Sequence, residues 1–104
     1  MIGIGTWEAT ISVMFQKYTG RVEVIDNNGE YDFKIDLPDK LKKLKIRYYD
    51  IKEIGTDTLT GKGEIAQMPG KTIEVTATFK GDKMEGSAKM GGIKIVFKNG
   101  HRIK

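Results

Sequence analysis

Residues 26–37 read DNNGEYDFKIDL, and they predict a tight turn followed by a β-strand. The Asn-Gly pair in this stretch accepts the positive φ angles that two-residue hairpin turns require. Beyond the turn, Tyr31, Phe33 and Ile35 alternate with charged residues. A period of two is typical of a strand with one buried and one solvated face. The stretch therefore predicts the second strand of an antiparallel hairpin.

The same alternation recurs along the whole chain, between turns that are mostly rich in glycine. In the first predicted strand, the odd positions from Trp7 to Phe15 are all apolar and form one face. The eight predicted strands cover about residues 5–16, 18–26, 30–37, 44–54, 59–65, 72–79, 84–90 and 93–102. No long segment shows the period of 3.6 that indicates a helix, which excludes folds with parallel crossovers.

Eight short strands joined by short turns predict a single all-β domain over residues 1–104. The simplest topology is an up-and-down antiparallel barrel, closed so that no strand edge is exposed. A β-sandwich is the alternative architecture. Two irregularities are expected: a β-bulge near Asp50, where the alternation slips, and a short helical turn over residues 39–43 after Pro38.

Composition removes several classes of site. The chain has no cysteine, which excludes disulfides, thiolate catalysis and cysteine-ligated metals. His101 is the single histidine, so a multi-histidine metal centre is excluded as well, and no cofactor is expected. Met1–Gly5 lacks the basic start and apolar run of a signal peptide, and no long apolar segment predicts a membrane span. The expected location is the cytoplasm.

Charge is distributed unevenly along the chain. Residues 1–39 carry three basic and seven acidic groups, a net charge of −4, whereas residues 40–104 carry fifteen and seven, a net charge of +8. Such asymmetry indicates either a surface for an anionic partner or a solvated surface that maintains solubility.

Two short motifs resemble those of the calycin superfamily, which includes lipocalins, fatty-acid-binding proteins and avidins. Gly5-Thr6-Trp7 opens the first strand and Arg102 lies near the end of the last, similar to the Gly-x-Trp and basic residue of lipocalins. The stretch over residues 81–88, GDKMEGSA, resembles hairpins of small bacterial lipocalin-like domains. The resemblance implies that Arg102 packs over the Trp7 indole and closes one end of the barrel as a structural plug.

The resemblance also implies a non-catalytic barrel that binds a small apolar ligand in its interior. The predicted ligand-binding residues are Phe15, Tyr31, Phe33, Tyr48, Val75, Phe79, Met84 and Phe97. Ile46, Ile73 and Ile95 are further candidates for the lining. Tyr31, Tyr48 or Arg47 would serve as polar anchors, if they face inward. The competing interpretation is a dry, filled core, because a domain of this size needs most of its apolar area for stability.

The alternative function is a basic interaction module that self-associates or binds an anionic partner. Its predicted surface is residues 40–49, where Lys40, Lys42, Lys43, Lys45 and Arg47 lie beside two tyrosines. A second candidate surface is the basic tail, Lys89, Lys94, Lys98, Arg102 and Lys104. Lysine outnumbers arginine by 15 to 3, which favours a solvated surface over a nucleic-acid interface. One histidine without a recognisable partner does not indicate haem binding or catalysis, so no enzyme is predicted.

Overall fold

The computed structural model describes residues 2–13, 15–36, 46–66 and 69–104, which form eight strands and contain no helix. The strands are β1 (Gly5–Val13), β2 (Gln16–Asn27), β3 (Glu30–Asp36), β4 (Ile46–Ile54), β5 (Thr58–Ile65), β6 (Thr72–Lys80), β7 (Lys83–Met90) and β8 (Ile93–Arg102). The predicted all-β, eight-stranded architecture is confirmed. The short helical turn predicted over residues 39–43 lies outside the described residues. No helix long and apolar enough to span a membrane occurs in the described ranges.

All eight strands belong to one antiparallel sheet, in the order β3-β2-β1-β8-β7-β6-β5-β4. The first and last strands pair, with Trp7 opposite Arg102 and Ile11 opposite Phe97. This pairing bends the meander into a barrel, and the sandwich alternative is wrong. The ring is nearly rather than fully closed, since the described residues of β3 and β4 do not form a ladder with each other.

The turn between β2 and β3 has the geometry that its sequence predicts. Asn28 and Gly29 are the two central residues, with φ angles of 56° and 90°. The predicted bulge near Asp50 is also confirmed, because Asp50 has a φ of 52° and the β4–β5 register shifts between Tyr49 and Lys52. The extra residue keeps Ile51 against Gly61 on the inner side of the barrel.

A second bulge, in β8, was not predicted from the sequence. On the β1 side Phe97 lies opposite Ile11, but Arg102 rather than His101 lies opposite Trp7. Between these two pairs β8 therefore contains one residue more than β1. The extra residue lies next to Asn99, which has a φ of 54°. Because one extra residue reverses which side chains face inward, the bulge turns Arg102 toward the indole and His101 outward.

The interior is more deeply buried at one end of the barrel than at the other. One end, here the Trp7 end, contains both termini and the β2–β3, β4–β5 and β6–β7 turns. Five of its inner side chains are almost fully buried, Trp7, Val24, Leu59, Phe79 and Met84, whereas Tyr31 is half-buried. At the opposite end, here the Ile46 end, four inner side chains near the turns are half-buried: Tyr18, Ile46, Met90 and Ile95. Ile65 and Ile73, beside the β5–β6 turn at this end, are buried.

Replacing Asn99 tests whether the β8 bulge is a stable feature. A β-branched residue is strained at positive φ, so Asn99→Val should lower the free energy of unfolding by about 1–2 kcal/mol. Asn99→Gly should stay within a few tenths of a kcal/mol of the parent, and Lys98→Val controls for adding an exposed valine to this strand. The measurement is urea unfolding followed by Trp7 fluorescence. Equal stability of the valine and glycine variants at position 99 would contradict the bulge.

Candidate functional site

Trp7 lies at the centre of the buried end of the barrel. Its side chain has 0% exposure, and its indole Nε1 donates a hydrogen bond of 2.8 Å to the Gly3 carbonyl oxygen. The Phe79 ring packs at 4.9 Å between centroids. Gly3 has a φ of 69°, and a Cβ there would lie 2.8 Å from the Phe79 ring. Only glycine therefore fits this close approach without a shift of the ring.

Arg102 lies over the Trp7 ring, as the resemblance implied. Its guanidinium carbon is 4.4 Å from the ring centroid. Nη1 donates to the Ile4 carbonyl oxygen at 2.5 Å, and Nε donates to Asp82 Oδ1 at 3.2 Å. One side chain thus links the segment before β1, the end of β8 and the β6–β7 turn. These contacts fit the predicted structural role of the Trp7–Arg102 pair.

Tyr31 connects the two unpaired sheet edges at the same end. Its hydroxyl on β3 donates to Glu53 Oε1 on β4 at 2.8 Å and accepts a hydrogen bond of 2.5 Å from the backbone N–H of Ile2. Burial, together with the Glu53 carboxylate, raises the pKa of Tyr31 above its ordinary value. Tyr31 acts as a link across the gap in the barrel.

The eight predicted ligand-binding residues lie in three different settings. Five of them are buried in the core: Phe33, Val75, Phe79, Met84 and Phe97. Tyr31 and Tyr48 are half-buried. The interior placement of Phe15 is wrong, because this side chain is fully exposed. Phe15 lies in the turn between β1 and β2 with a φ of 70°, so the alternation of β1 does not extend to it.

Part of the interior is filled by aromatic side chains that pack against glycines of β5. Phe33 and Tyr48 meet edge to face, with 5.5 Å between ring centroids, and so bring β3 and β4 together across the gap. A Cβ at Gly61 would lie 3.3 Å from the Phe33 ring, and one at Gly63 would lie 3.4 Å from the Tyr48 ring. Burial strongly raises the pKa of the Tyr48 phenol.

The Ile46 end presents an apolar rim that sequence reasoning identified only in part. Ile46 and Ile95 were expected to line the interior, whereas Tyr18 and Met90 were missed as candidates. Tyr18 lies opposite Ile11 in the β1–β2 ladder, so pairing the first two strands from their turn would have placed it inside. Met90 is the last inward position of β7, before the Gly91–Gly92 turn.

The predicted basic surface over residues 40–49 is described only from Ile46 onward. Lys40, Lys42, Lys43 and Lys45 lie outside the described residues. Arg47 points outward, where its guanidinium contacts Glu64 at 3.0 Å and lies 5.3 Å from the Tyr49 ring centroid. Arg47 is therefore not an interior anchor, which leaves Tyr48 as the predicted polar anchor on the inner wall near the Ile46 end.

His101 also lies on the outer wall, opposite Glu8, with 3.8 Å between Nε2 and the nearest carboxylate oxygen. In the described ranges, no three His, Cys, Asp or Glu side chains are grouped as metal ligands would be. A groove of about 680 Å³ crosses the outer side of β6, β7 and β8. Its charged lining residues are Lys80, Lys83, Lys94, Lys98 and Glu85.

Comparison with known proteins shows that a similar architecture occurs in a solved structure. No protein-family model matches the chain, and no curated protein sequence does. One similar solved structure is the crystal structure of a secretary abundant heat soluble (SAHS) protein from Ramazzottius varieornatus, with a TM-score of 0.64 over 98% of this chain and 95% of that one. The chain has a lipocalin-like β-barrel fold. Sequence identity is 15%, so the likeness concerns the fold alone.

Substitution of Arg102 tests the contacts at the Trp7 end. Arg102→Met keeps much of the apolar stem but removes the charged head, so the free energy of unfolding should fall by about 2 kcal/mol. Asp82→Asn removes only the exposed ion pair and should cost less than about 0.5 kcal/mol. Urea unfolding followed by Trp7 fluorescence measures both. If Asp82→Asn lowers the free energy of unfolding as much as Arg102→Met does, the stabilisation comes from the ion pair instead.

Tyr48 should make the barrel less stable in alkali. The folded protein binds the phenolic proton more tightly than the unfolded chain, in which tyrosine titrates near pH 10. Stability should therefore be complete below about pH 10 and should fall as the pH rises further. Tyr48→Phe should reduce this decline, whereas Tyr49→Phe, on the outer side of the same strand, should leave it unchanged. Unfolding in urea at pH 8 and at about pH 11 measures the difference; parallel declines in both variants would contradict the prediction.

Proposed function

We propose that this protein is a non-catalytic lipocalin-like barrel that holds a small, mainly apolar ligand at its Ile46 end. The observation that carries the proposal is the difference in burial between the two ends. Side chains at the Trp7 end are sealed by the indole, the Arg102 guanidinium and the segment before β1. Four inner side chains at the Ile46 end, Tyr18, Ile46, Met90 and Ile95, keep part of their surface exposed.

The chemistry of the Ile46 end fits an apolar molecule with one polar group. Tyr18, Ile46, Met90 and Ile95 offer apolar surface whose burial favours binding. Tyr48 supplies a neutral hydroxyl, because a tyrosine is protonated at physiological pH and burial raises the pKa of this phenol further. A ligand of about 20 non-hydrogen atoms, at about 0.3 kcal/mol per atom, would bind with a Kd of tens of micromolar.

A second candidate function is favoured by the packing of Phe33 and Tyr48 onto the β5 glycines. Those contacts fill the interior beside Gly61 and Gly63. The radius of gyration is 12.9 Å, close to the value of about 13 Å for a compact domain of about 100 residues. A barrel filled throughout would act through its outer surface, as an interaction module.

Native mass spectrometry of freshly purified protein, compared with the denatured mass, separates the two functions. A co-purified species of lipid or cofactor mass would support the carrier, and titration with the neutral apolar dye N-phenyl-1-naphthylamine would then locate the site. Ile95→Gln, which places an amide at the Ile46 end, should weaken dye binding at least tenfold.

Two matched variants control the dye experiment. Val96→Gln makes the same kind of change at the next residue, which is also half-buried but faces outward, and it should leave dye binding unchanged. Phe15→Ser removes an exposed aromatic ring that offers a nonspecific dye site and should likewise have no effect. Circular dichroism and thermal unfolding confirm that each variant is folded. A clean apo mass together with no saturable dye binding would reject the carrier in favour of the filled core.

A further inference from the structure

The outer surface of the barrel is basic on one side and acidic on the opposite side. The basic face consists of Lys80, Lys83, Lys94 and Lys98 on β6, β7 and β8, with Glu85 among them, a net charge of +3. The acidic face is the β2–β3 hairpin between residues 23 and 34. Glu23, Glu30, Asp32 and Lys34 lie on its outer side and Asp26 lies at its rim, opposite Tyr31, which gives a net charge of −3. Arg21, the next outward residue of β2, is paired with Glu8 of β1 at 3.5 Å. All ten side chains are exposed.

These faces point in opposite directions. The strand order places β2 and β3 at the start of the ring and β6 and β7 four positions further around it. Strands half a circuit apart in an eight-stranded barrel lie across the barrel from each other. The acidic face of one molecule can therefore meet the basic face of a second molecule without any change in either.

The two faces differ in shape: one is a groove, and the other borders a turn that is open to solvent. The basic face forms the groove of about 680 Å³ described above. The acidic face surrounds a hairpin whose turn projects into solvent, since a Cβ added at Gly29 would meet nothing within 4 Å. Asp26 rigidifies this turn, because its Oδ1 accepts a hydrogen bond of 2.8 Å from the Gly29 N–H.

We propose that this protein associates with a second copy of itself, head to tail, with the β2–β3 hairpin of one molecule against the β6–β8 groove of the next. A nucleic acid is a poorer occupant of the groove. All of the cations that line the groove are lysines, and Glu85 lies among them. Phe97 and Met84, the large apolar side chains among the lining residues, are buried, so they are not available to stack on bases. The contact is heterologous, so it leaves one free face on each terminal molecule.

Sedimentation velocity over a range of protein concentrations tests the proposal, since exposed charges attract weakly and are screened within about 8–10 Å at physiological salt. At 20 mM NaCl the average sedimentation coefficient should rise with concentration, and at 500 mM NaCl the rise should disappear. Lys94→Glu with Lys98→Glu should weaken association at least fivefold, as should Glu23→Lys with Asp32→Lys. Lys52→Glu with Lys62→Glu, on β4 and β5, makes the same change in net charge as the first pair and should have no such effect.

Mixing the two face variants gives the decisive result. One variant then has two acidic walls and the other two basic walls. An equimolar mixture should therefore associate to within about threefold of the parent protein, although each variant alone associates at least fivefold more weakly. Failure of the mixture to associate would overturn the proposal. So would a parent protein that stays monomeric at 20 mM NaCl while a 20-nucleotide DNA or an anionic phosphatidylglycerol vesicle binds the lysine face. Dye binding at the Ile46 end is measured separately and does not depend on either result.

Discussion

The barrel depends on the ladder between β1 and β8, because that pairing turns a linear meander of eight strands into a ring. Inside this ladder, the bulge next to Asn99 determines which residue of β8 meets Trp7. Without the extra residue, His101 would face the indole and Arg102 would face solvent opposite Thr6. With it, a cation that cannot lose its charge lies over the ring and bonds to Ile4 and Asp82. The same single-residue shift therefore closes one end of the barrel and joins both termini to it.

The ring is completed on the other side by side chains rather than by backbone hydrogen bonds. Tyr31 bonds to Glu53 and Phe33 packs against Tyr48, so two contacts replace a ladder between β3 and β4 in the described part of the chain. Side-chain contacts leave the backbone of these two strands freer to move apart than a ladder would. The gap extends to the Ile46 end, where β3 ends and β4 begins. Ligand entry in the proposed function would use this least constrained part of the wall.

Most of the fold was predictable because period-two alternation and turn residues are local signals. DNNG predicted its hairpin, and the slip near Asp50 predicted a bulge, since both change the pattern within a few residues. The bulge in β8 leaves little trace, because polar Lys98 and Asn99 fit either register. Phe15 was misplaced for a related reason: it continues the alternation of β1 in sequence, but the chain has already begun to turn. The unequal burial of the two ends depends on which strands meet around the ring, and one sequence does not contain that information.

Charge was visible in the sequence as a difference between two halves of the chain, but its consequence required the topology. In an up-and-down barrel, neighbours in sequence are neighbours in space, so position along the chain becomes position around the ring. The acidic first third and the basic last third of the chain therefore lie on opposite sides of the barrel. The uneven charge along the sequence becomes an electrostatic dipole across the molecule. In a Greek-key barrel the same residues would be interleaved and much of the field would cancel. Because of the meander topology, the outer surface of this small domain is electrostatically polar, whether or not its interior holds a ligand.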